Sequence, residues 1–439
     1  MLENDLVGVG AGPTNLSLAA LIETPRVRGL IQFQSKFLEK NRAIQWHAGQ
    51  LFPGTLMQTE FYRDLVTPID PTSSFTFLNY LKAHQRLDQF FCSEYICPTR
   101  REFEDYLNWV ARQLPDVIFG SNVTFVDYDP ETNGFVIDAE SGQERTRYTS
   151  RHIVLGCGST PESTIANRKG ARVVHVSDLL TFEFPEPLQS VLIVGSGQSG
   201  AECVNFLLDR FAEVEVQITW ITHETAFRSL DKGNFSREAY SAGYGMSFAR
   251  LPAALREKTI REESNIAYGI TPELTKALYQ RLYSLKHLNE RDTSCPTVQM
   301  QANVEVIEVR NDAEAALVAA RDLELGETRT VFYSCVVLCT GFEDQSVFDS
   351  SMIGPQLKSR IGRRDDRLDY AVPWDGPLDR MIFVQSENIK THGLGDANFV
   401  TAPGRNARIL NTITGKEIYS IDQMDRLVGV RAIGRQALK

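Results

Sequence analysis

The chain has 439 residues, 42% of them hydrophobic and 23% charged, and carries a formal net charge of −10. That length predicts two or three domains with an extensive core, and the acidic balance argues against nucleic acid or an anionic membrane as the main partner. The seven cysteines form no CxxC pair and match no zinc-ligand spacing, which predicts neither a metal site nor a redox dithiol.

The N-terminus, Met1-Leu2-Glu3-Asn4-Asp5, lacks the basic and apolar regions of a secretory signal, and no apolar run reaches the roughly 18 residues of a membrane helix. Both points predict a cytoplasmic protein. A strand through Leu6-Val7 leads into Gly8-Val9-Gly10-Ala11-Gly12-Pro13-Thr14-Asn15, and Leu16 to Ile22 then reads as a helix. Strand, glycine turn and helix form the context in which a loop cradles a pyrophosphate: glycine admits the phosphates close to the backbone, and the helix start offers free N–H groups. Ile31 to Leu38 predicts a second strand with Glu39 at its end. There a carboxylate takes the ribose hydroxyls of an adenosine, although the spacing exceeds the usual ~20 residues; the alternative is a solvated acid.

Phe75 to Phe91 and Arg101 to Leu114 carry helical periodicity, with aromatics on a face that reads as core. Ile153-Val154-Leu155-Gly156-Cys157-Gly158 predicts a strand and turn where the chain leaves its first domain. A second loop, Gly195-Ser196-Gly197-Gln198-Ser199-Gly200-Ala201-Glu202, follows the strand Val191 to Val194 and opens another helix. Two such loops in one chain predict two dinucleotides, most simply FAD and a nicotinamide. Val216 to Ile221 predicts the next strand, and Phe235 to Tyr283 a helical stretch interrupted at Asn265 to Gly269. The apolar run Cys335-Val336-Val337-Leu338-Cys339, whose cysteines read as buried thiols, leads to the turn Thr340-Gly341-Phe342 and predicts re-entry into the first domain. The turn-rich Thr391 to Asp396 and a helix over Asn406 to Thr414 close the chain. The expected fold is α/β: a discontinuous FAD domain (1–187 and 332–439) and an NADPH domain (188–331), with a small, mostly helical substrate region at about 235–290.

Beyond the loops, many segments in order resemble the flavin-dependent N-hydroxylating monooxygenases of siderophore biosynthesis, which act on lysine, ornithine or diamines. They are the first loop ending in Asn15, Trp46-His47, Met57-Gln58-Thr59, Asp64-Leu65-Val66, Asp70-Pro71-Thr72-Ser73, Phe77-Leu78-Asn79-Tyr80-Leu81, the second loop, Cys339-Thr340-Gly341-Phe342, Thr391-His392-Gly393 and Ala407-Arg408-Ile409-Leu410. The resemblance implies that NADPH reduces FAD, that the reduced flavin captures O2 as a 4a-hydroperoxide, and that a neutral terminal amine attacks it to give a hydroxylamine. An alkylammonium has a pKa of about 10.4, so the hydroxylation rate is expected to rise on the alkaline side of neutral.

The resemblance assigns Gly8, Gly10, Gly12, Pro13, Asn15 and Glu39 to FAD, with Trp46 and His47 beside the flavin. Gln58 is implied to touch flavin and nicotinamide, and with His47 forms the candidate catalytic pair. Gly195, Gly197, Gln198, Ser199 and Gly200 are implied for NADPH, and Arg228 for its 2′-phosphate; Thr340, Gly341 and His392 return to the flavin. The candidate substrate residues are Arg63, Glu60, Arg237 and Asn265. Arg63 stands where amino-acid-using relatives carry a lysine for the α-carboxylate. Arg237 and Val400 replace polar carboxylate anchors, and Glu60 offers a carboxylate to the distal ammonium of a diamine, which tilts the expectation toward putrescine or cadaverine over lysine or ornithine.

Besides the amine and O2, the implied partners include further copies of the chain as a tetramer, for which the sequence itself carries no signal. Two alternatives compete. A flavin monooxygenase of carbon or sulfur needs FxGxxxHxxxW/Y between the loops, and Val174-His175-Val176-Ser177 lacks it. A non-catalytic dinucleotide sensor would have no use for the flavin-facing motifs. A flavin disulfide reductase lacks its CxxC.

Overall fold

The strand that enters the first glycine loop, β1 (Asn4–Val9), is buried on both faces, as a central parallel strand must be. The computed structural model containing it describes residues 2–162, 172–290, 294–312, 314–343, 346–362 and 370–421. From β1 the chain passes through α1 (Pro13–Val27), β2 (Ser35–Glu39), α2 (Phe77–Ala83), α3 (Leu87–Cys92) and α4 (Arg100–Gln113). It continues through β3 (Val117–Phe119), β4 (Asn122–Asp129), β5 (Gly134–Ser141) and β6 (Glu144–Leu155). These strands form one sheet in the order β3-β2-β1-β6-β5-β4, with a late strand, Ile382–Val384, also paired to β6. Leu6 lies opposite Ser35 on β2 and His152 on β6, both parallel. Against this sheet pack α1, α4 and the C-terminal helix Ala402–Thr414, through Leu16, Leu18, Phe103, Tyr106, Leu107 and Leu410.

The helical reading of Phe75 to Phe91 divides into α2 and α3, because Gln85 adopts a left-handed φ of 57° between them. The second strand begins at Ser35; Ile31 and Phe33 enter the core without joining the ladder.

A ribbon of β7 (Thr160–Pro161) marks the crossing to the second unit, which opens with β8 (Val173–His175), β9 (Ser190–Val194), α5 (Gln198–Arg210) and β10 (Gln217–Ile221). The helical stretch resolves into α6 (Ala242–Ala249), α7 (Ala253–Glu262), α8 (Ser264–Ala267) and α9 (Pro272–Asn289). Its break falls where Ile270 exchanges backbone hydrogen bonds with Arg228 and Leu230. Then come β11 (Thr297–Gln301), an antiparallel meander of β12 (Val304–Asn311), β13 (Ala316–Asp322) and β14 (Thr328–Tyr333), β15 (Cys335–Leu338) and β16 (Phe342–Glu343). The second sheet runs β11-β10-β9-β15-β8, and β16 pairs back with β7.

Two boundaries shift accordingly. The apolar run Cys335–Leu338 does not re-enter the first domain: it pairs in parallel with β9 and β8, and β8 already belongs to the second sheet before residue 188. The return crossing is the β7/β16 ribbon. The architecture is α/β with two Rossmann-like units, and no helix among the described residues is long and apolar enough to cross a membrane.

Candidate active site

The first loop is closed by its own neighbours. Gly10 has φ +82°, and a Cβ there would meet the Gly156 carbonyl oxygen at 2.5 Å. Asn15 Nδ2 donates to the carbonyls of Gly10 (2.8 Å) and Val9 (3.1 Å), locking the turn onto the end of β1. Glu39 sits at the end of β2 as expected. Its Oε2 accepts from the Ala11 N–H at 3.0 Å and its Oε1 from the Asn41 N–H at 3.0 Å, so it braces the loop with lone pairs to spare. Above the loop, α1 begins at Pro13 with no side-chain cap on Gly12, where a Cβ would meet nothing within 4 Å. An uncapped helix start over open space, with a carboxylate at the next strand end, fits a dinucleotide.

The second loop repeats the geometry with a different support. Gly195 has φ +117°, and a Cβ there would meet the Cys339 carbonyl oxygen at 2.3 Å; a Cβ on Gly200 would meet the Gly195 carbonyl oxygen at 2.2 Å, and one on Gly197 would meet nothing within 4 Å. No side chain caps α5 at Gly197. The side chains of Gln198 and Ser199, expected to hold NADPH, are engaged within the protein. Gln198 accepts from the Thr271 N–H (2.9 Å) and donates to Glu202 (2.8 Å), while the Ser199 hydroxyl donates to Gln50 (3.0 Å). What this turn offers a phosphate is therefore backbone N–H. Past β10, Arg228 is 58% exposed and reaches Glu224 at 3.5 Å.

Between the loops runs the segment Trp46 to Gln50. The Trp46 N–H donates to Glu104 (2.7 Å), and its ring packs on Phe103 and edge-on to Phe399. His47 is left-handed at φ 55° and starts a tight turn, with the Gln50 N–H on its carbonyl. Its ring is open to solvent yet lies deep in the protein mass, and this burial, with the nearby Arg100 charge second, holds the imidazole down at about 4. This shift favours the neutral imidazole. Gln58 is exposed beside buried Met57, on a stretch tied to the segment before α4 by the Met57 N–H to Pro98 and the Arg100 N–H to Thr55. Gly341 (φ +89°) follows Thr340, and its carbonyl accepts from His175 at 3.1 Å and from the Glu162 N–H. His392 is buried, stacked on Tyr370 at 4.2 Å, with Thr391 on its Nδ1. Nearby, Arg405 and Asp396 form a fully buried ion pair at 2.6 Å.

Three of the four substrate candidates meet. Glu60 pairs with Arg237 and, at 3.4 Å, with Arg63; all three side chains are at most about one-third exposed. The Glu60 carboxylate, expected to meet the distal ammonium of a diamine, is here held between two guanidiniums. Asn265 stands apart: its side chain is exposed, and its described bond is a backbone carbonyl accepting from the Asp231 N–H. Val400 is buried beside Phe399.

Sequence reasoning missed Gln50 and Arg100, and it named Glu202 in the second loop without its partner. Arg100 opens α4 after a Thr99 cap and meets Glu202 on α5 at 2.8 Å, both side chains at most 10% exposed. A pairing 102 residues apart leaves no local signal. His175, dismissed as lacking its fingerprint, is the hydrogen-bonded support of Gly341.

The family model described as L-lysine 6-monooxygenase/L-ornithine 5-monooxygenase matches residues 3–344. Putrescine N-hydroxylase of Shewanella oneidensis is 31% identical over 425 residues, covering 95% of this chain and 82% of that protein. Among solved structures, the FAD-bound cadaverine monooxygenase of the Erwinia amylovora desferrioxamine pathway is similar with a TM-score of 0.88 and 26% identity, over 99% of this chain and 100% of that one. The ornithine N-hydroxylase of Kutzneria sp. 744, solved with reduced FAD, NADP+ and L-ornithine, is similar with a TM-score of 0.85 and 26% identity, over 94% of this chain and 99% of that one. With its two glycine loops on two sheets and a family match across most of its length, the chain belongs to the L-lysine 6-monooxygenase/L-ornithine 5-monooxygenase family.

Proposed function

We propose that this protein binds FAD on the first loop and NADPH on the second, and N-hydroxylates the terminal primary amine of a basic amino acid or its decarboxylated diamine, in hydroxamate siderophore biosynthesis. The balance is amine, O2, NADPH and one proton to hydroxylamine, water and NADP+. FAD, when bound, supplies the acceptance of hydride and the activation of O2. Gly8, Gly10, Gly12, Pro13 and Asn15 would hold its pyrophosphate side, Glu39 its adenosine ribose, and Trp46, His47, Thr340, Gly341 and His392 its ring end. Gly195, Gly197 and Gly200, with the first N–H groups of α5, would hold NADPH, and Arg228 its 2′-phosphate.

The reacting amine must be neutral, and this chain helps by withholding charge. The imidazole of His47 stays unprotonated, and Gln58 offers an amide that donates and accepts without adding charge. The observation that carries the substrate reading is the ion-paired cluster Arg63, Glu60 and Arg237. One carboxylate between two guanidiniums leaves a net charge of +1, which attracts a distal carboxylate and repels a distal ammonium. Charge therefore favours lysine or ornithine over the diamines that the sequence alone favoured.

Hydroxylamine formation, measured separately with lysine, ornithine, cadaverine and putrescine, tests this. Product from an amino acid alone supports the cluster as a carboxylate receptor. Product from a diamine alone means that Glu60 leaves its arginines when substrate binds, and no product despite NADPH oxidation removes the proposed substrate class.

A further inference from the structure

The second dinucleotide turn borrows a side chain from the first unit. Gln50 closes the turn after His47 and is only 2% exposed. Its side-chain carbonyl accepts from the Ser199 hydroxyl, in the first turn of α5, at 3.0 Å. Its main-chain carbonyl accepts from Arg100 at 3.2 Å. Gly49 fixes the approach, because a Cβ there would overlap the Ser177 carbonyl. The Gln50 amide nitrogen, however, is buried without a hydrogen-bond partner, and an unmet buried donor is costly unless something supplies an acceptor. The bond from Ser199 sets this amide beside the first turn of α5, whose start has no side-chain cap.

A second feature belongs to the same place. Glu202 stands one turn into α5, on the face shared with Gln198, where a bare carboxylate would oppose an anion at the helix start. Arg100, from the first unit, neutralises it.

We propose that Gln50 is a nucleotide-binding residue of the second site. Its amide nitrogen donates to a phosphate or ribose oxygen of NADPH while its carbonyl is anchored on Ser199, and Arg100 is a positioning residue that keeps the start of α5 favourable to phosphate. This rests on the reading of the second loop as the NADPH site.

The test is NADP+ binding to the FAD-loaded enzyme by titration calorimetry, with thermal stability measured alongside. Gln50→Met removes the donor at similar size and is expected to weaken NADP+ about tenfold. Gln50→Glu keeps the volume and the acceptor for Ser199 but adds a charge facing the phosphates, and is expected to weaken it about a hundredfold. Both should keep FAD and melt within a few degrees of wild type. Anaerobic flavin reduction by NADPH should need correspondingly more cofactor, whereas reoxidation by O2 after reduction with dithionite should not change. Wild-type affinity in either variant, or equal weakening in both together with a lowered melting temperature, would overturn the proposal. Failure of the wild type itself to bind NADP+ would overturn the reading of the second loop as well.

Discussion

The two glycine turns have the same local chemistry and different supports. In the first, Asn15 bonds back to Val9 and Gly10, and Glu39, one strand away, holds Ala11, so the loop is braced within its own unit. In the second, Gln198 reaches Thr271, Ser199 reaches Gln50, and Glu202 reaches Arg100; the last two partners lie in the first unit. A loop braced within its own unit draws no side-chain support from the second unit. A loop braced from another unit sets where its cofactor lies relative to the first, which hydride transfer between two dinucleotides requires.

The largest effects should come from filling the turns. Gly10→Ala and Gly195→Ala each place a Cβ within 2.5 Å of a backbone carbonyl at a positive φ, a strain with no flexible neighbour to relieve it. Gly10→Ala is expected to yield protein without FAD, seen as a lost flavin spectrum. Gly195→Ala should remain yellow and fail to be reduced by NADPH under anaerobic conditions. Loss of flavin from both would show that the second loop also supports the first.

Next is the brace itself. Arg100→Met leaves the Glu202 carboxylate buried and unpaired, at an expected cost of about 3–5 kcal/mol in denaturant unfolding. Adding Glu202→Leu removes the orphaned charge and should recover most of that loss. If Arg100→Met alone unfolds no more easily than wild type, the pair is solvated and the contrast between the two turns weakens.

Both turns were legible in the sequence because a strand, a glycine pattern and a helix are local, and so was Glu39 at its strand end. The cluster of Arg63, Glu60 and Arg237 was named residue by residue, but its mutual pairing, on which the proposed preference for an amino acid rests, was not. Asn265 lies on α8 with its side chain exposed, and its described bond is made by its backbone carbonyl. The sheet membership of Cys335–Leu338 was illegible for a different reason: a buried parallel strand is a continuous apolar run in either sheet, and only the pairing with β9 decides. The bonds of Gln50, Arg100 and Glu202 depend on how two units meet, which no local pattern records.

The smallest effect expected is a difference in acid tolerance between the units. His152 lies on β6 opposite Leu6, so it supports the strand that carries the first loop. It is buried, its Nδ1 accepts from the Met381 N–H at 3.1 Å, and burial, with Arg151 and Arg380 adding to it, lowers its pKa to about 4. Below pH 6.5 the unfolded chain takes up a proton there that the folded chain refuses. Stability from this group is therefore complete above about pH 6.5 and is lost as the pH falls toward 4, by up to about 3 kcal/mol. In the second unit His223 and His287 are exposed, and the buried His175 on β8 bonds to Gly341 rather than to the second loop. Acid should thus release FAD before it abolishes structure in the second unit, and His152→Gln, which can still accept from Met381, should flatten the pH dependence of unfolding between 4 and 6.5. An unchanged profile in that variant would move the acid-sensitive group elsewhere in the first unit, and His47, equally depressed and packed beside Trp46, would be the next residue to replace.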